Sequence, residues 1–105
     1  MWNKPTEDEL RRLPPLYATE NTPLDEKVIH MHFFFGRNDW FVVEFDGEDI
    51  FFGFAILNND FEYAEWGYFS LAELDSINFI GFRVDRDMYW KPVRIGDIEI
   101  LRELL

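Results

Sequence analysis

The stretch Asp39-Trp40-Phe41-Val42-Val43-Glu44-Phe45, then Asp46-Gly47, then Glu48-Asp49-Ile50-Phe51-Phe52-Gly53-Phe54-Ala55-Ile56-Leu57, decides the fold. Both arms are rich in β-branched and aromatic residues, and Asp-Gly between two such runs is the strongest short-range hairpin signal. A two-residue loop pairs Phe45 with Glu48, Val43 with Ile50 and Phe41 with Phe52. Phe41, Val43, Ile50, Phe52 and Phe54 then share one face, as a buried face requires. The same register sets Glu44 opposite Asp49 on the other face. Like charges so placed destabilise a sheet by up to about 1 kcal/mol. That face is therefore expected to serve a partner; the alternative is a hairpin tip whose acids are solvated and nearly costless.

Working outward, Val28 to Phe35 alternates, with His30 and His32 on one side and Ile29, Met31 and Phe33 on the other. Gly36-Arg37-Asn38 turns the chain into the hairpin. Asn58-Asn59-Asp60 makes the next turn, and Phe61 to Phe69 reads as a fourth strand. Ser70 with Glu73 three residues on opens a short helix to about Ile77, and Thr6 with Glu9 has the same capping-box spacing. The N-terminal helix ends at about Leu13, before Pro14-Pro15. Leu10, Leu13 and Leu16 are expected to face inward, with Tyr17 helping to anchor that helix. Leu16 to Glu26 reads as loop and Gly81 to Trp90 as extended or irregular. Asp97 is expected to cap a last helix in which Ile98, Leu101 and Leu104 recur at helical spacing. The fold class is α+β: an antiparallel sheet of about four to five strands with short helices at the N-terminus, after strand four and at the C-terminus. Residues 1–105 form one domain.

Composition supports a packed core. Hydrophobic residues make up 48% of the chain and aromatics 19%, twelve of them Phe, so disorder is excluded despite the net charge of −11. There is no cysteine, which removes disulfides, thiolate metal sites and cysteine nucleophiles together. Met1-Trp2-Asn3-Lys4-Pro5 lacks the apolar segment of a signal peptide. The longest apolar runs fall far short of the ~20 residues of a membrane span. A cytoplasmic location and no membrane partner are expected.

The charge is unevenly placed. Between Asn38 and Phe82 stand ten acids, Asp39, Glu44, Asp46, Glu48, Asp49, Asp60, Glu62, Glu65, Glu73 and Asp75, with no Lys or Arg. The flanks together are nearly neutral. Phosphate would be repelled by such a stretch, so no direct nucleic-acid partner is expected, and a basic protein surface is. Asp39, Glu44, Asp46, Glu48, Asp49, Asp60, Glu62 and Glu65 are the candidate partner-binding residues.

Other chemistries have weaker support. His30-Met31-His32 has a spacing some metal sites use, with Glu44 or Asp49 as further ligands. Its plain reading is the polar side of a strand. Asp46-Gly47-Glu48-Asp49 lacks the 12-residue spacing of a calcium loop. Arg83-Val84-Asp85-Arg86-Asp87 reads as structural ion pairs. Among the aromatics, Trp40, Phe51, Trp66 and Tyr68 are the ones that could instead form a stacking platform, but such platforms sit in basic grooves. No phosphate loop, nucleophile elbow or zinc helix occurs, so no catalytic residue and no cofactor are assigned.

Three segments, Leu10-Arg11-Arg12-Leu13-Pro14-Pro15-Leu16-Tyr17, Trp66-Gly67-Tyr68-Phe69-Ser70-Leu71-Ala72-Glu73-Leu74 and Arg86-Asp87-Met88-Tyr89-Trp90-Lys91-Pro92, together with Phe51-Phe52-Gly53, make the chain similar to a bacterial family of small proteins catalogued as a domain of unknown function. That family is common on plasmids, integrative elements and phages, and it supplies no activity or site residue. The resemblance implies a setting on mobile DNA, where small acidic proteins counter host defence, some by imitating the charge of DNA; this step is analogy. The expected function is a non-enzymatic acidic interaction protein that occupies a basic surface such as a host defence nuclease. The alternatives are an accessory protein of element maintenance and a metal-dependent enzyme using carboxylates with His30 or His32.

Overall fold

The computed structural model describes residues 1–104, and at its centre lies a five-stranded antiparallel sheet. In chain order the elements are α1 (Glu7–Arg11), β1 (Val28–Ile29), β2 (Met31–Phe35), β3 (Asn38–Phe45), β4 (Ile50–Ile56), β5 (Glu65–Ser70), α2 (Leu71–Ser76), β6 (Asn78–Phe79), β7 (Phe82–Arg83), β8 (Asp85–Arg86), β9 (Val93–Arg94) and α3 (Glu99–Arg102). Single 3₁₀ turns cover Leu24–Glu26, Phe61–Tyr63 and Ile95–Asp97. The large sheet has the order β5-β4-β3-β2-β8; β1 pairs with β9, and β6 with β7, as separate ribbons. This is the α+β class read from the sequence.

The helix signals act as their chemistry dictates. Thr6 accepts from the Glu9 N–H while Glu9 Oε1 accepts from the Thr6 N–H at 3.0 Å, a complete capping box. Ser70 Oγ accepts from the Glu73 N–H at 3.1 Å and starts α2. Asp97, expected to cap α3, does not: it pairs with Arg94 at 3.1 Å inside a 3₁₀ turn, and Ile98 stands at the cap with no side-chain bond. Leu101 of α3 is nevertheless fully buried, with Ile98 and Leu104 packed beside it.

The central hairpin departs from the expected register. Phe45 lies opposite Phe51, Glu44 opposite Phe52 and Val42 opposite Gly53, with a bulge at Val43. The Asp46 carboxylate causes this. It accepts from the N–H groups of Glu48, Asp49 and Ile50 at 2.8, 2.8 and 3.0 Å, which winds the loop beyond two residues. These donors hold the carboxyl below its ordinary range. The bulge then adds one residue to β3 and resets the alternation. Gly53 stands where the strands come closest, since a Cβ there would meet the Phe41 carbonyl.

Both faces of the sheet are buried. Met31, Phe33, Trp40, Val42, Phe45 and Phe51 face one layer, closed by Leu13, Leu71, Leu74 and Val84. Phe41, Val43, Phe54 and Ile56 face the other, closed by Ile29, Ile95 and Leu101. Full burial of side chains such as Phe33 and Phe51 contributes about 1.5–3 kcal/mol each. The strand expected over Val28 to Phe35 is therefore broken at His30, where β1 leaves the sheet to pair with β9. Ile29 joins the second layer while Met31 and Phe33 join the first. Leu13 is buried and Leu10 and Leu16 half-buried as expected, but Tyr17 is exposed. The fourth strand starts only at Glu65, because Phe61–Tyr63 is a 3₁₀ turn.

At the β8 edge the N-terminus closes the sheet. Trp2 bridges Asp85, and its N–H donates to the Val84 carbonyl at 2.8 Å. Arg86 is buried and donates through Nη1 and Nη2 to the Glu9 carboxylate at 2.7 and 3.2 Å, and through Nε to the Asn3 carbonyl at 2.9 Å. That fork, with the Thr6 N–H, holds the Glu9 carboxyl down to about 2. Asp75 collects the Met1 ammonium at 2.7 Å, Lys4 at 3.0 Å and Arg83 at 3.3 Å. The ions of Arg83 to Asp87 thus pair with distant partners rather than with one another.

Candidate partner-binding surface

The bulge at Val43 turns Glu44 toward the segment that follows Pro14-Pro15. Phe45 N–H donates to the Pro14 carbonyl at 2.9 Å, which lays residues 14–19 across the end of β3. Glu44, only 3% exposed, accepts from the Tyr17 N–H at 2.8 Å, from the Thr19 N–H at 3.0 Å and from the Thr19 hydroxyl. Buried Lys27 reaches the same Thr19, donating to its hydroxyl at 3.1 Å and to its carbonyl. Thr19 thus bridges a buried carboxylate and a buried ammonium, which lets each be desolvated with bonds in place.

This network holds Tyr17 at φ +70°, a backbone region that a large side chain rarely adopts. The ring is nevertheless 65% exposed, beside Tyr68 at 57%. Strain of about 1–3 kcal/mol that presents an aromatic to solvent is the kind of outlier that marks a functional surface. Phe52 stacks on Trp66 at 5.6 Å and lies 5.3 Å from Tyr68, and Phe54 lies 5.4 Å from Trp66. Phe52, Trp66 and Tyr68 therefore form one aromatic surface over β4 and β5, and the Tyr17 side chain meets Tyr68 at its rim. The Tyr68 phenol is pushed up, first by the Tyr17 side chain, then by burial and by the negative field of Tyr17, Glu44 and Glu20. Trp66 Nε1 is buried with no hydrogen-bond partner among the described residues.

The eight candidate acids divide into two sets. Glu44, Asp46, Asp49 and Asp39 are engaged inside the molecule. Asp49 accepts from Ser70 Oγ at 2.5 Å and from the Ala72 N–H at 2.8 Å, fixing α2. Asp39 contacts His32 Nε2 at 2.7 Å. The expected face with Glu44 opposite Asp49 does not exist, because the loop wound by Asp46 sets Glu44 opposite Phe52 and leaves Asp49 outside the strand. Glu48, Asp60, Glu62 and Glu65 are exposed, and their carboxylates bond to no other side chain or backbone group among the described residues.

A second cluster surrounds His32, whose side chain is 15% exposed. Its ring stacks on Phe41 at 4.7 Å with Trp90 at 5.3 Å, and Nδ1 lies 3.8 Å from an Asp87 oxygen. An imidazole oriented by a carboxylate is half of a general-base arrangement, yet no hydroxyl among the described residues bonds to it. His30 lines a separate cavity of about 210 Å³ with Arg12, Arg86, Met88 and Trp90, and burial pushes its imidazole down from the ordinary range. Among the described residues no group of three or more His, Asp or Glu side chains is arranged to hold a metal ion. Glu44 and Asp49, considered as further ligands to the histidines, are held elsewhere.

Sequence reasoning named Trp66 and Tyr68 but missed Tyr17 as an exposed ring and Phe52 as the ring that packs on both Trp66 and Tyr68. The available signal was Val42-Val43-Glu44, where alternation fails beside an acid. A family model described as Protein of unknown function (DUF2958) matches residues 10–95. No curated protein and no solved structure matches the chain.

Proposed function

From the premise that the chain belongs to the DUF2958 family of proteins of unknown function, we propose that it is a non-enzymatic interaction protein that receives a basic protein surface on its acidic aromatic face. One observation carries this reading: Tyr17 is held in strained backbone by buried Glu44 beside Tyr68, which packs with Phe52 and Trp66, along the stretch whose charged residues are all carboxylates. Aromatic faces edged by carboxylates suit guanidinium and ammonium groups, through cation–π contact and charge together. A surface built to hold phosphate presents those groups, so a nuclease of host defence, met on a mobile element, is the partner class we name. Among the described residues no helix is long and apolar enough to cross a membrane.

The charge-reversed variant Asp60→Lys/Glu62→Lys/Glu65→Lys tests the reading. It should fold like the parent, because these carboxylates hold nothing in place, and lose capture of a basic protein from host extract. Capture by the parent should weaken between low and high salt. Undiminished capture by the variant refutes the proposal, as does submicromolar binding of the parent to duplex DNA in an anisotropy assay at physiological salt.

A further inference from the structure

The strand β5 is an edge of a different kind from β8. It runs for six residues, Glu65–Ser70, pairs among the described residues only with β4, and holds the end position in the sheet order. Every second residue of such a strand turns its N–H and C=O away from the sheet. Edges are ordinarily blunted by Lys, Pro, a bulge or a covering segment. Glu65-Trp66-Gly67-Tyr68-Phe69-Ser70 has no Lys or Pro, its register with β4 is unbroken, and the space where a Gly67 Cβ would sit is open. Its one ionised side chain is Glu65.

We propose that β5 is a docking edge at which an extended, Arg- or Lys-bearing segment of the partner adds to the sheet as a sixth strand. The inference rests on the basic-partner reading above and specifies how that partner is held. Trp66 and Tyr68 lie two residues apart on one face, opposite Phe54 and Phe52 of β4, which matches the two-residue period of an added strand. Cationic side chains at alternate positions of the incoming segment would lie beside these rings, since directly opposed cross-strand neighbours come within about 5 Å. Asp60 and Glu62 lead into the strand and Glu73 follows it, with no Lys or Arg between Asn38 and Phe82. A second copy of this chain would bring the same acids and another −11 to the edge, so charge selects a basic occupant.

The test uses the full chain and four synthetic octapeptides: alternating Arg-Val, alternating Glu-Val, and Arg-Val carrying backbone N-methyl groups on all Arg or on all Val residues. Binding is read by amide shifts and by hydrogen-exchange protection of β5. Strand addition predicts that Arg-Val protects the β5 amides, that Glu-Val does not, and that one N-methyl pattern loses about tenfold or more in affinity while the other is spared. Equal binding of all three Arg peptides overturns strand addition while leaving the basic-partner reading standing. Glu-Val binding as well as Arg-Val, or no peptide binding at all, overturns both. Protection of β5 that grows with protein concentration alone assigns the edge to a second copy and overturns the proposal.

Discussion

At one edge of the sheet β8 is two residues long, bridged by Trp2 and locked by Arg86 on Glu9 and Asn3; at the other, β5 runs for six residues beside no further strand. The difference follows the charge along the chain. Lys4, Arg83 and Arg86 all lie outside the stretch from Asn38 to Phe82, with Arg83 at its border, and all three make ion pairs near the closed edge. The open edge belongs wholly to the acidic stretch, and among the described residues no Lys or Arg pairs with a side chain of β5. Three of the ten Lys and Arg residues thus help to seal one side of the sheet.

The largest effect expected from breaking this comparison comes from Arg86→Ala. It leaves the Glu9 carboxylate without its fork and the Asn3 carbonyl without a donor. Arg86 is buried but Glu9 is partly exposed, so the loss falls at the lower end of the range of about 3–5 kcal/mol that breaking a buried pair costs. Urea unfolding measures it, and a loss under about 1 kcal/mol would mean that the edge is not locked by this pair. Next is Glu44→Ala, which deprives the Tyr17 and Thr19 N–H groups of their acceptor. At about 1–3 kcal/mol for each buried donor left unsatisfied, the melting temperature should fall clearly. Exchange at Tyr17 should rise while β8 stays protected.

Acid should separate the edges by a smaller margin. The folded Glu9 carboxyl sits at about 2 against an ordinary value of 4.5, so its contribution is present above pH 4.5 and lost as pH falls toward 2. Through that window amide exchange at Val84 and Arg86 should accelerate before exchange at the β4–β5 ladder. Simultaneous loss of both would mean that the closed edge has no separate acid sensitivity. The smallest effect is expected at the open edge. Tyr68→Ala should leave stability within about 0.5 kcal/mol. Its cost should appear instead as a two- to fivefold loss of arginine-peptide affinity, the value of about 0.5–1 kcal/mol for an exposed cation–π contact.

Local chemistry was legible in the sequence, and long-range placement was not. Thr6 with Glu9 and Ser70 with Glu73 cap as their spacing says, because a cap needs only its own first turn. The aromatic runs announced β3 and β4 for the same reason. The register failed because the Asp46 carboxylate competes with a two-residue turn, and pattern counting assigns side chains no such role. Asp97 failed as a cap because Arg94 is nearer to hand. The β6–β7 ribbon, closed by Ile80 and Gly81 at φ +53° and +85°, was missed because Ile is a poor residue for a left-handed turn position. The acids divide by tertiary contact: beyond the broken alternation at Val42-Val43-Glu44, the string does not separate Glu44, which is buried, from Glu65, which is exposed.

The bulge at Val43 gives β3 an editable joint. Excising that one residue would, by the pairing on either side of it, leave Val42 opposite Gly53, Glu44 opposite Phe52 and Phe45 opposite Phe51, with no frame lost downstream. What would go is the bend, and with it the reach of Glu44 to the Tyr17 loop. Val43 is itself fully buried in the second layer, so the same deletion takes a side chain out of the core, and the scaffold and the presented ring are coupled through this one position.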